Sequence, residues 1–333
     1  MWFPPTMPGI SSLTSFSFHA NKRGDLSMKL CCIVFTLFLL LLTFLPSAHA
    51  GTEFTDHEGR TLRFSAPPER IISLSPANTE IVYYLGLADR LAGVTTYCNY
   101  PPEVAEKDVI GSITEVDLEA VVRLAPALVL ASSLTPDEAV TRLTELGLDV
   151  FVLEPRTIEE IFESMEIVSL IAHHPQGLEK VESLREEAGE VLSLLEGLEE
   201  EDKPSVLHLI WHDPVWTVGG DTFVGHLINR AGGHNLTGEL SGYVTLDLEE
   251  VLRRNPEIIT VVDDHGAAEN LPYEFVMSDS RLGATSAREN GRVHRVSSDI
   301  VSRSGPRVVE ALRLFASLFH PARVESHGAL ELP

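Results

Sequence analysis

The sequence is poor in cysteine and in positive charge. Only three of its 333 residues are cysteine, and 25 lysines and arginines stand against 49 aspartates and glutamates, which gives a formal net charge of −24. Cys31 and Cys32 fall in the N-terminal segment described below, so the rest of the chain retains Cys98 alone and has no disulfide partner for it. We expect Cys98 to be a small, partly buried residue rather than a reactive thiol. The negative charge disfavours nucleic acid and anionic membranes as partners but permits docking on a basic protein surface.

The sequence also lacks the common motifs of catalysis. No phosphate-binding loop of the Walker type is present, no strand leads into G-x-G-x-x-G, and neither G-x-S-x-G nor H-E-x-x-H occurs. Histidines lie singly or as the pair His173-His174, without clustered Cys/His spacing. We therefore predict no catalytic residue, no resident metal or cofactor, and a binding protein rather than an enzyme.

An apolar segment near the N-terminus has the features of an export signal. Residues 28–50 place Lys29 before a long apolar core and end in the small-x-small pattern Ala48-His49-Ala50. The apolar core is too short to span a bilayer, which needs about 20 residues. We expect cleavage near Ala50, a mature chain that begins at Gly51, and a periplasmic location. Residues 1–27 are either a misassigned start or an unstructured leader.

Short apolar runs alternate with helical patterns in two series, residues 69–172 and 203–321. In the first series, RIISLS reads as a buried strand and PANTEIVYYLGL as a helix with Ser75 as its cap and Gly86 as its end. In the second, SVLHLI is a strand, and GGDTFVGHLINRAGG is a helix capped by Asp221 or Thr222. Strands separated by helices predict parallel sheets with helices on their faces, hence an α/β fold with two lobes.

The segment between the two series has a different pattern. Apolar residues recur at steps of three and four, or sums of these, through residues 175–202: Leu178, Val181, Leu184, Val191, Leu195 and Leu198. This pattern predicts one amphipathic helix of about seven turns. It is either an ordinary surface helix or, as its central position favours, a rigid connector between the lobes. The stretches VDLEAVVRLAPALVLAS and LDLEEVLRRNPEIITVV echo each other across it, which indicates a duplicated lobe.

One histidine stands out from the rest. His212, in LIWHDPVWTVGG, follows a predicted strand and lies between Trp211 and Trp216. It is a candidate axial ligand to a bound metal macrocycle or a hydrogen-bond donor to a ligand. The alternative is a loop histidine paired with Asp213.

Several stretches together resemble a known family. RIISLSPANTEIVYYLGL, GVTTYCNYPPEV, VWTVGGDTFVGHLINRAGGHN, LDLEEVLRRNPEIITV and SRSGPRVVEALRLFASLFHP are similar to the periplasmic substrate-binding proteins of ABC importers for vitamin B12, ferric siderophores and haem. The resemblance covers about residues 69–321. The SPANTE turn combined with the YCNYPP loop most resembles the corrinoid-binding branch. The resemblance implies two Rossmann-like lobes joined by a single long connector helix, with a ligand cleft between the lobes and little closure on binding.

The same resemblance implies the residues of the cleft. Tyr97 is expected on one wall, Trp216 and Tyr243 on the opposite wall, and Asp299 with Arg303 near the floor, with His212 as a further candidate contact. A flat, largely apolar macrocycle with amide fringes is suited by aromatic faces and a few polar donors.

Two positions depart from the corrinoid pattern. Ile113 and Ser132 stand where those relatives have tryptophans, and the tryptophan common before NGRV is absent. A ferric siderophore or haem therefore stays open as the ligand. A secreted metal-cluster oxidoreductase on a similar bilobal fold would need cysteine ligands, and only Cys98 is left. A free-standing sensor or structural partner would not explain an aromatic cleft.

Two glutamates carry an implied docking role. In the family, one glutamate at the tip of each lobe pairs with arginines of the dimeric ABC permease in the inner membrane, and the matching residues are Glu119 and Glu249. The alternative is that each only favours the dipole of its own helix, since each lies in a first helical turn. We expect a monomer that delivers a corrinoid to this permease.

Overall fold

Two parallel sheets with helices on their faces dominate the computed structural model, which describes residues 51–263 and 271–326. The predicted leader (1–27) and export segment (28–50) lie outside the described residues. Among the helices that are described, none is both long enough and apolar enough to cross a membrane.

The N-terminal lobe is built on a five-stranded parallel sheet in the spatial order β5-β4-β3-β6-β7. Its strands are β3 (Ile71–Ser73), β4 (Leu91–Val94), β5 (Asp108–Val109), β6 (Leu128–Ala131) and β7 (Val150–Val152). The helices that connect or follow these strands are α1 (Pro76–Leu85), α2 (Leu118–Arg123), α3 (Asp137–Glu145) and α4 (Ile158–Ile171). Every residue of β3, β6 and β7 is buried, as expected for a parallel sheet covered on both faces.

Helix α1 begins and ends where its sequence predicts. The Ser75 hydroxyl accepts a hydrogen bond from the Asn78 N–H at 3.3 Å, and Pro76 occupies the first turn, where its missing N–H is not needed. Gly86 adopts a φ of 86°, in the left-handed region, and its N–H donates to the Tyr83 carbonyl at 2.9 Å. These caps confirm the predicted strand–turn–helix unit.

A hairpin precedes this lobe and was not predicted. Strands β1 (Thr52–Thr55) and β2 (Thr61–Phe64) pair antiparallel, and Asp56 lies in the turn between them. The buried Asp56 carboxylate accepts hydrogen bonds from the Val152 N–H at 3.1 Å and from Arg60 at 2.7 Å. The hairpin is thereby fixed to the edge strand β7, so the packed lobe starts before residue 69.

The central helix is shorter than its apolar spacing predicts. Helix α5 (Pro175–Ser193) ends well before residue 202, and the chain continues through turns into a 3₁₀ segment, Glu200–Asp202. The N–H groups of residues 194 and 195 bond three residues back, which tightens the last turn, and Gly197 adopts a φ of 74°. Leu195 and Leu198 still pack on the core from these turns, so the apolar spacing persists beyond the helix.

The C-terminal lobe contains a four-stranded parallel sheet and a three-stranded antiparallel sheet. The parallel order is β11-β8-β13-β14, with β8 (Ser205–Leu209), β11 (His234–Asn235), β13 (Ile258–Val262) and β14 (Val293–Val296). The antiparallel order is β12-β10-β9, with β9 (Trp211–His212), β10 (Val215–Val218) and β12 (Tyr243–Leu246). The lobe's helices are α6 (Phe223–Arg230), α7 (Leu248–Arg254), α8 (Leu271–Ser278), α9 (Ser286–Glu289), α10 (Ser298–Val301), α11 (Val308–Phe319) and α12 (Pro321–Ser326).

Of the two residues predicted as the cap of α6, Thr222 is the one that caps it. Its hydroxyl accepts a hydrogen bond from the Gly225 N–H at 3.1 Å. The neighbouring Asp221 carboxylate instead accepts from the Gly242 N–H at 2.6 Å, which ties this loop to the start of β12.

One hydrophobic core runs through both lobes and the helix between them. Buried side chains of α1 (Ile81), α4 (Met165), α5 (Val181 and Val191) and α11 (Phe315) belong to the same cluster. Helix α5 thus packs against helices of both lobes.

Candidate functional site

The carboxyl ends of the two parallel sheets face each other. Asn99, in the loop after β4, donates from Nδ2 to Oδ2 of Asp299, which lies in α10 after β14, at 2.8 Å. On the side of β7 and β8, Arg230 of α6 donates to Oε1 of Glu159 in α4 at 3.2 Å. Because open α/β sheets bind ligands beyond the carboxyl ends of their strands, the region beside the Asn99–Asp299 contact is the candidate cleft.

The C-terminal wall of the cleft is one face of the antiparallel sheet. Trp216 lies directly opposite Trp211 in β9 and opposite Thr245 in β12, and Tyr243 lies opposite Val218. Because directly opposed residues and residues two apart along a strand share a face, Trp211, Trp216 and Tyr243 all project from the same side. Their exposed fractions are 37%, 47% and 63%. The structure thus brings the predicted Trp216 and Tyr243 together and adds Trp211, which we had named only as a neighbour of His212.

A largely apolar cavity of about 530 Å³ opens at the tryptophans of this face. It is bounded by the ends of β8 and β13 and by α8, and its lining consists of Ile210, Trp211, Asp213, Pro214, Trp216, Val262, Asp263 and Pro272. Apolar clefts with a few polar groups are typical of sites for small molecules.

His212 follows Trp211 in β9 and lies opposite Val215. Its ring lies 4.7 Å from the ring of Trp211 and 5.6 Å from the ring of Phe275 in α8, centroid to centroid. Its Nδ1 is buried and has no hydrogen-bond partner in the described part of the chain. The structure thus places the His212 ring beside Trp211 of the aromatic face.

The N-terminal wall is formed by the loop after β4. Tyr97 and Tyr100 in this loop are 54% and 44% exposed, and the Arg307 guanidinium lies 4.3 Å from the centroid of the Tyr100 ring. Cys98 between them is buried, as expected, and the Thr79 hydroxyl donates to its Sγ at 3.1 Å.

Tyr243 lies near a carboxylate of the N-terminal lobe. Desolvation by burial and the negative charge of Glu154, which follows β7, raise the pKa of the Tyr243 hydroxyl above its ordinary value. Tyr243 is therefore a neutral donor at physiological pH.

The predicted polar pair lies where the lobes meet and belongs to a larger cluster. Arg303 Nη2 donates to Oδ1 of Asp299 at 2.6 Å, and Arg303 Nη1 donates to Oδ1 of Asn99 and to Oε1 of Glu80, both at 2.8 Å. Arg307 also binds Glu80, with Nε to Oε2 at 2.8 Å and Nη2 to Oε1 at 2.6 Å.

Glu80 was missed by our reading of the sequence, although a signal was present. It lies in the SPANTE motif beside Ile81 and Val82 and is 1% exposed. A glutamate on the buried face of a helix needs a cationic partner, because an unpaired buried charge is costly. Burial lowers the pKa of Arg307, but the hydrogen bonds and charge of Glu80 outweigh this effect and raise it above its ordinary value.

The two predicted docking residues occupy equivalent positions in the two lobes. Asp117 and Asp247 cap α2 and α7, and Glu119 and Glu249 are the second residues of these helices, both exposed. Arg281 lies near Glu249 but is paired with Asp279, Nη2 to Oδ2 at 2.7 Å. Within residues 51–263 and 271–326, no group of three acidic, histidine or cysteine side chains is arranged to hold a metal ion.

Comparison with known proteins agrees with this architecture. One relative is an uncharacterised ABC transporter substrate-binding lipoprotein of Bacillus subtilis, which is 29% identical over 80% of this chain and 84% of its own. Another is a vitamin B12-binding protein of Vibrio campbellii, which is 28% identical over 78% of this chain and 92% of its own. A solved periplasmic haem-binding protein of Roseiflexus superposes with a TM-score of 0.68 at 24% identity, covering 77% of this chain and 99% of its own, and shares the fold. The family model described as "Periplasmic binding protein" matches residues 71–300. The chain therefore belongs to the periplasmic binding protein family, a family of substrate-binding transport proteins.

Proposed function

We propose that the protein is an exported, monomeric receptor that binds a corrinoid between its lobes and delivers it to an ABC importer of the inner membrane. The observation that carries the proposal is the shared face of Trp211, Trp216 and Tyr243, whose two tryptophans line an apolar cavity. Aromatic rings on both walls suit a flat macrocycle, and tyrosine hydroxyls supply donors to its amide fringe. The name of the Vibrio campbellii relative supports the same ligand class.

The charges at the cleft floor favour a neutral ligand over an anionic one. Arg303 and Arg307 are held by the carboxylates of Glu80 and Asp299, so the four side chains together carry no net charge. A catecholate siderophore or the propionates of haem would require cations that are free to pair with them. The amides of a corrinoid require only hydrogen-bond donors and acceptors.

Haem stays the second candidate because tyrosines stand at the cleft. A tyrosinate is a known iron ligand, and Tyr97 and Tyr243 are both exposed there. His212 also stays a candidate contact, because its ring lies beside Trp211 and its Nδ1 has no hydrogen-bond partner among the described residues. The raised pKa of Tyr243 opposes its ionisation and weighs against it as a ligand to iron.

Titration calorimetry of residues 51–333 tests the proposal. Cyanocobalamin and cobinamide are titrated first, and haemin and a ferric catecholate are titrated in parallel. We expect one-to-one binding of the corrinoids and none of the ferric catecholate. Binding of haemin without corrinoid binding would overturn the ligand class and retain the receptor. Binding of cyanocobalamin but not cobinamide would show that the nucleotide side chain of the corrinoid is recognised.

A further inference from the structure

We propose that Glu80 is a positioning residue of the ligand cleft: its carboxylate, which belongs to one lobe, holds Arg303 and Arg307 of the other lobe, and through Arg303 it orients Asn99 and Asp299 toward the ligand. The ligand-facing half of this proposal rests on the proposed function, while the half that concerns the lobes does not. Glu80 itself is 1% exposed, so its role is to orient its neighbours.

The geometry of the cluster links the two lobes through a single buried group. Glu80 lies in α1 of the N-terminal lobe, whereas Arg303 follows α10 and Arg307 precedes α11 in the C-terminal lobe. Both oxygens of the Glu80 carboxylate are used, Oε2 by Arg307 Nε and Oε1 by Arg307 Nη2 and Arg303 Nη1. Such a bidentate arginine–carboxylate pair fixes orientation as well as distance. The relative placement of the lobes at this point is therefore set by hydrogen bonds as well as by apolar packing.

Arg303 connects buried Glu80 to Asn99 and Asp299 at the exposed side of the cluster. Three donated hydrogen bonds hold its guanidinium, one to Glu80, one to Asn99 and one to Asp299. Asn99 closes the ring by donating to Asp299, and it is exposed in the same loop as Tyr97. A planar guanidinium held at three points has few orientations left, so the polar groups beside it are oriented before a ligand arrives.

Arg307 anchors the cluster and the loop together. Its guanidinium packs on Tyr100, and its Nη2 also donates to the backbone carbonyl of Asp299 at 3.1 Å. Removing the Glu80 charge therefore leaves two partly buried arginines without their shared counter-ion. The loop after β4 and helix α10 are then no longer held in a fixed relative position by these arginines.

A matched control is available elsewhere in the chain. Glu159 also joins the lobes, by its ion pair with Arg230, but its side chain is 52% exposed and it lies in the first turn of α4, on the side of β7 and β8. An exposed pair of this kind contributes little to stability or orientation. If any link between the lobes were sufficient, Glu159→Gln and Glu80→Gln would act alike.

The first test needs no ligand. Spin labels at Leu146→Cys and Glu289→Cys, exposed positions in different lobes, report the distribution of distances between the lobes by pulsed electron resonance. We expect Glu80→Gln to broaden this distribution and Glu159→Gln to leave it unchanged. Arg307→Lys keeps the charge but loses the bidentate pair, so it broadens the distribution too and serves if Glu80→Gln does not fold.

The second test asks whether Glu80 acts through Arg303. Cyanocobalamin affinity is measured by calorimetry for Glu80→Gln, Arg303→Gln and the double variant. We expect Glu80→Gln to lower the affinity about tenfold in the wild-type background. It should change the affinity less than about twofold where Arg303 is already replaced.

The outcomes separate this proposal from the proposed function. Equal losses of affinity in both backgrounds, or a distance distribution unaltered by both Glu80→Gln and Arg307→Lys, overturn the positioning role. A wild-type protein that does not bind cyanocobalamin contradicts the ligand class, and the distance distributions then decide the role of Glu80 in holding the lobes.

Discussion

Trp211 and Trp216 lie directly opposite each other in the antiparallel pair of β9 and β10, and both rings project from the cleft face of the sheet. Side chains opposed in this way come within contact distance. The two indoles therefore present one continuous apolar surface, which Tyr243 extends along β12. Neither tryptophan is buried in the core, so we do not expect folding to depend on them.

This pair leads to the first prediction. Trp211→Ala and Trp216→Ala should each weaken ligand binding by about 1–3 kcal/mol, because each removes a large aromatic contact. The melting temperature should change little, because both side chains are partly exposed in the free protein. Calorimetry with cyanocobalamin and a thermal melt measure the two quantities. Leu146→Ala, at an exposed apolar residue of the N-terminal lobe, is the control that should leave both unchanged.

A second prediction concerns docking on the permease. Glu119→Ala combined with Glu249→Ala should leave cyanocobalamin affinity unchanged and impair uptake, since the two exposed glutamates lie outside the cleft cluster at matching helix positions. Uptake is measured with the cognate importer in proteoliposomes.

A control must separate loss of docking from loss of the favourable interaction between a glutamate and the dipole of its own helix. Glu138→Ala removes an exposed glutamate from the first turn of α3 and should not affect transport. Loss of ligand binding in the double variant, or equal transport defects in the control, would contradict the docking role.

A third prediction concerns stability as a function of pH. His208 is fully buried in β8, and burial lowers its pKa to about 4 from an ordinary value of 6.5. In the unfolded chain it takes up a proton as the pH falls through 6.5, whereas in the folded protein it does not until about 4. Stability should therefore decline over this window, by about 2 kcal/mol at pH 5 from this group alone.

Replacement of His208 isolates this contribution. His208 Nδ1 lies 2.9 Å from the Thr260 hydroxyl, and His208→Gln keeps a hydrogen-bonding group there without a titrating one. Urea unfolding at pH 7.5 and at pH 5 should show a smaller loss of stability in the variant than in the wild type. An identical loss in both proteins would show that other groups cause the pH dependence.

The fourth prediction concerns Cys98, the only cysteine of residues 51–333. Because it is 8% exposed and its sulfur accepts a hydrogen bond from Thr79, it should react slowly with a thiol reagent in the folded protein. In urea the same reagent should modify it completely. Rapid modification of the native protein, measured by absorbance, would contradict a buried thiol and indicate that the loop after β4 opens readily.

Local signals in the sequence predicted individual elements well. Ser75, Pro76 and Gly86 define a helix because capping and backbone conformation depend on a few neighbouring residues. The apolar spacing through Leu195 and Leu198 failed to mark the end of α5, since residues in turns can bury side chains at the same intervals. The β1–β2 hairpin was missed because its attachment depends on Val152, which is distant in sequence.

In the cleft, too, the sequence indicated individual residues but not the contacts between distant ones. Trp216, Tyr243, Asp299 and Arg303 were predicted by resemblance, and the structure places the first two on one face and pairs the last two. His212 was named as a candidate contact because it lies between Trp211 and Trp216 in the sequence, and its ring lies 4.7 Å from that of Trp211, centroid to centroid. Glu80 was overlooked because its partners follow it by more than 200 residues.

The sequence by itself determined the alternation of strands and helices in the two series, the two-lobed α/β fold, the single cysteine of residues 51–333 and the acidic character, because each of these follows from composition or from interactions between near neighbours. Only the tertiary structure decided which aromatics share a wall and that Glu80 joins the lobes through Arg303 and Arg307. Those relationships depend on sheet register and on contacts between distant segments, which local pattern does not contain.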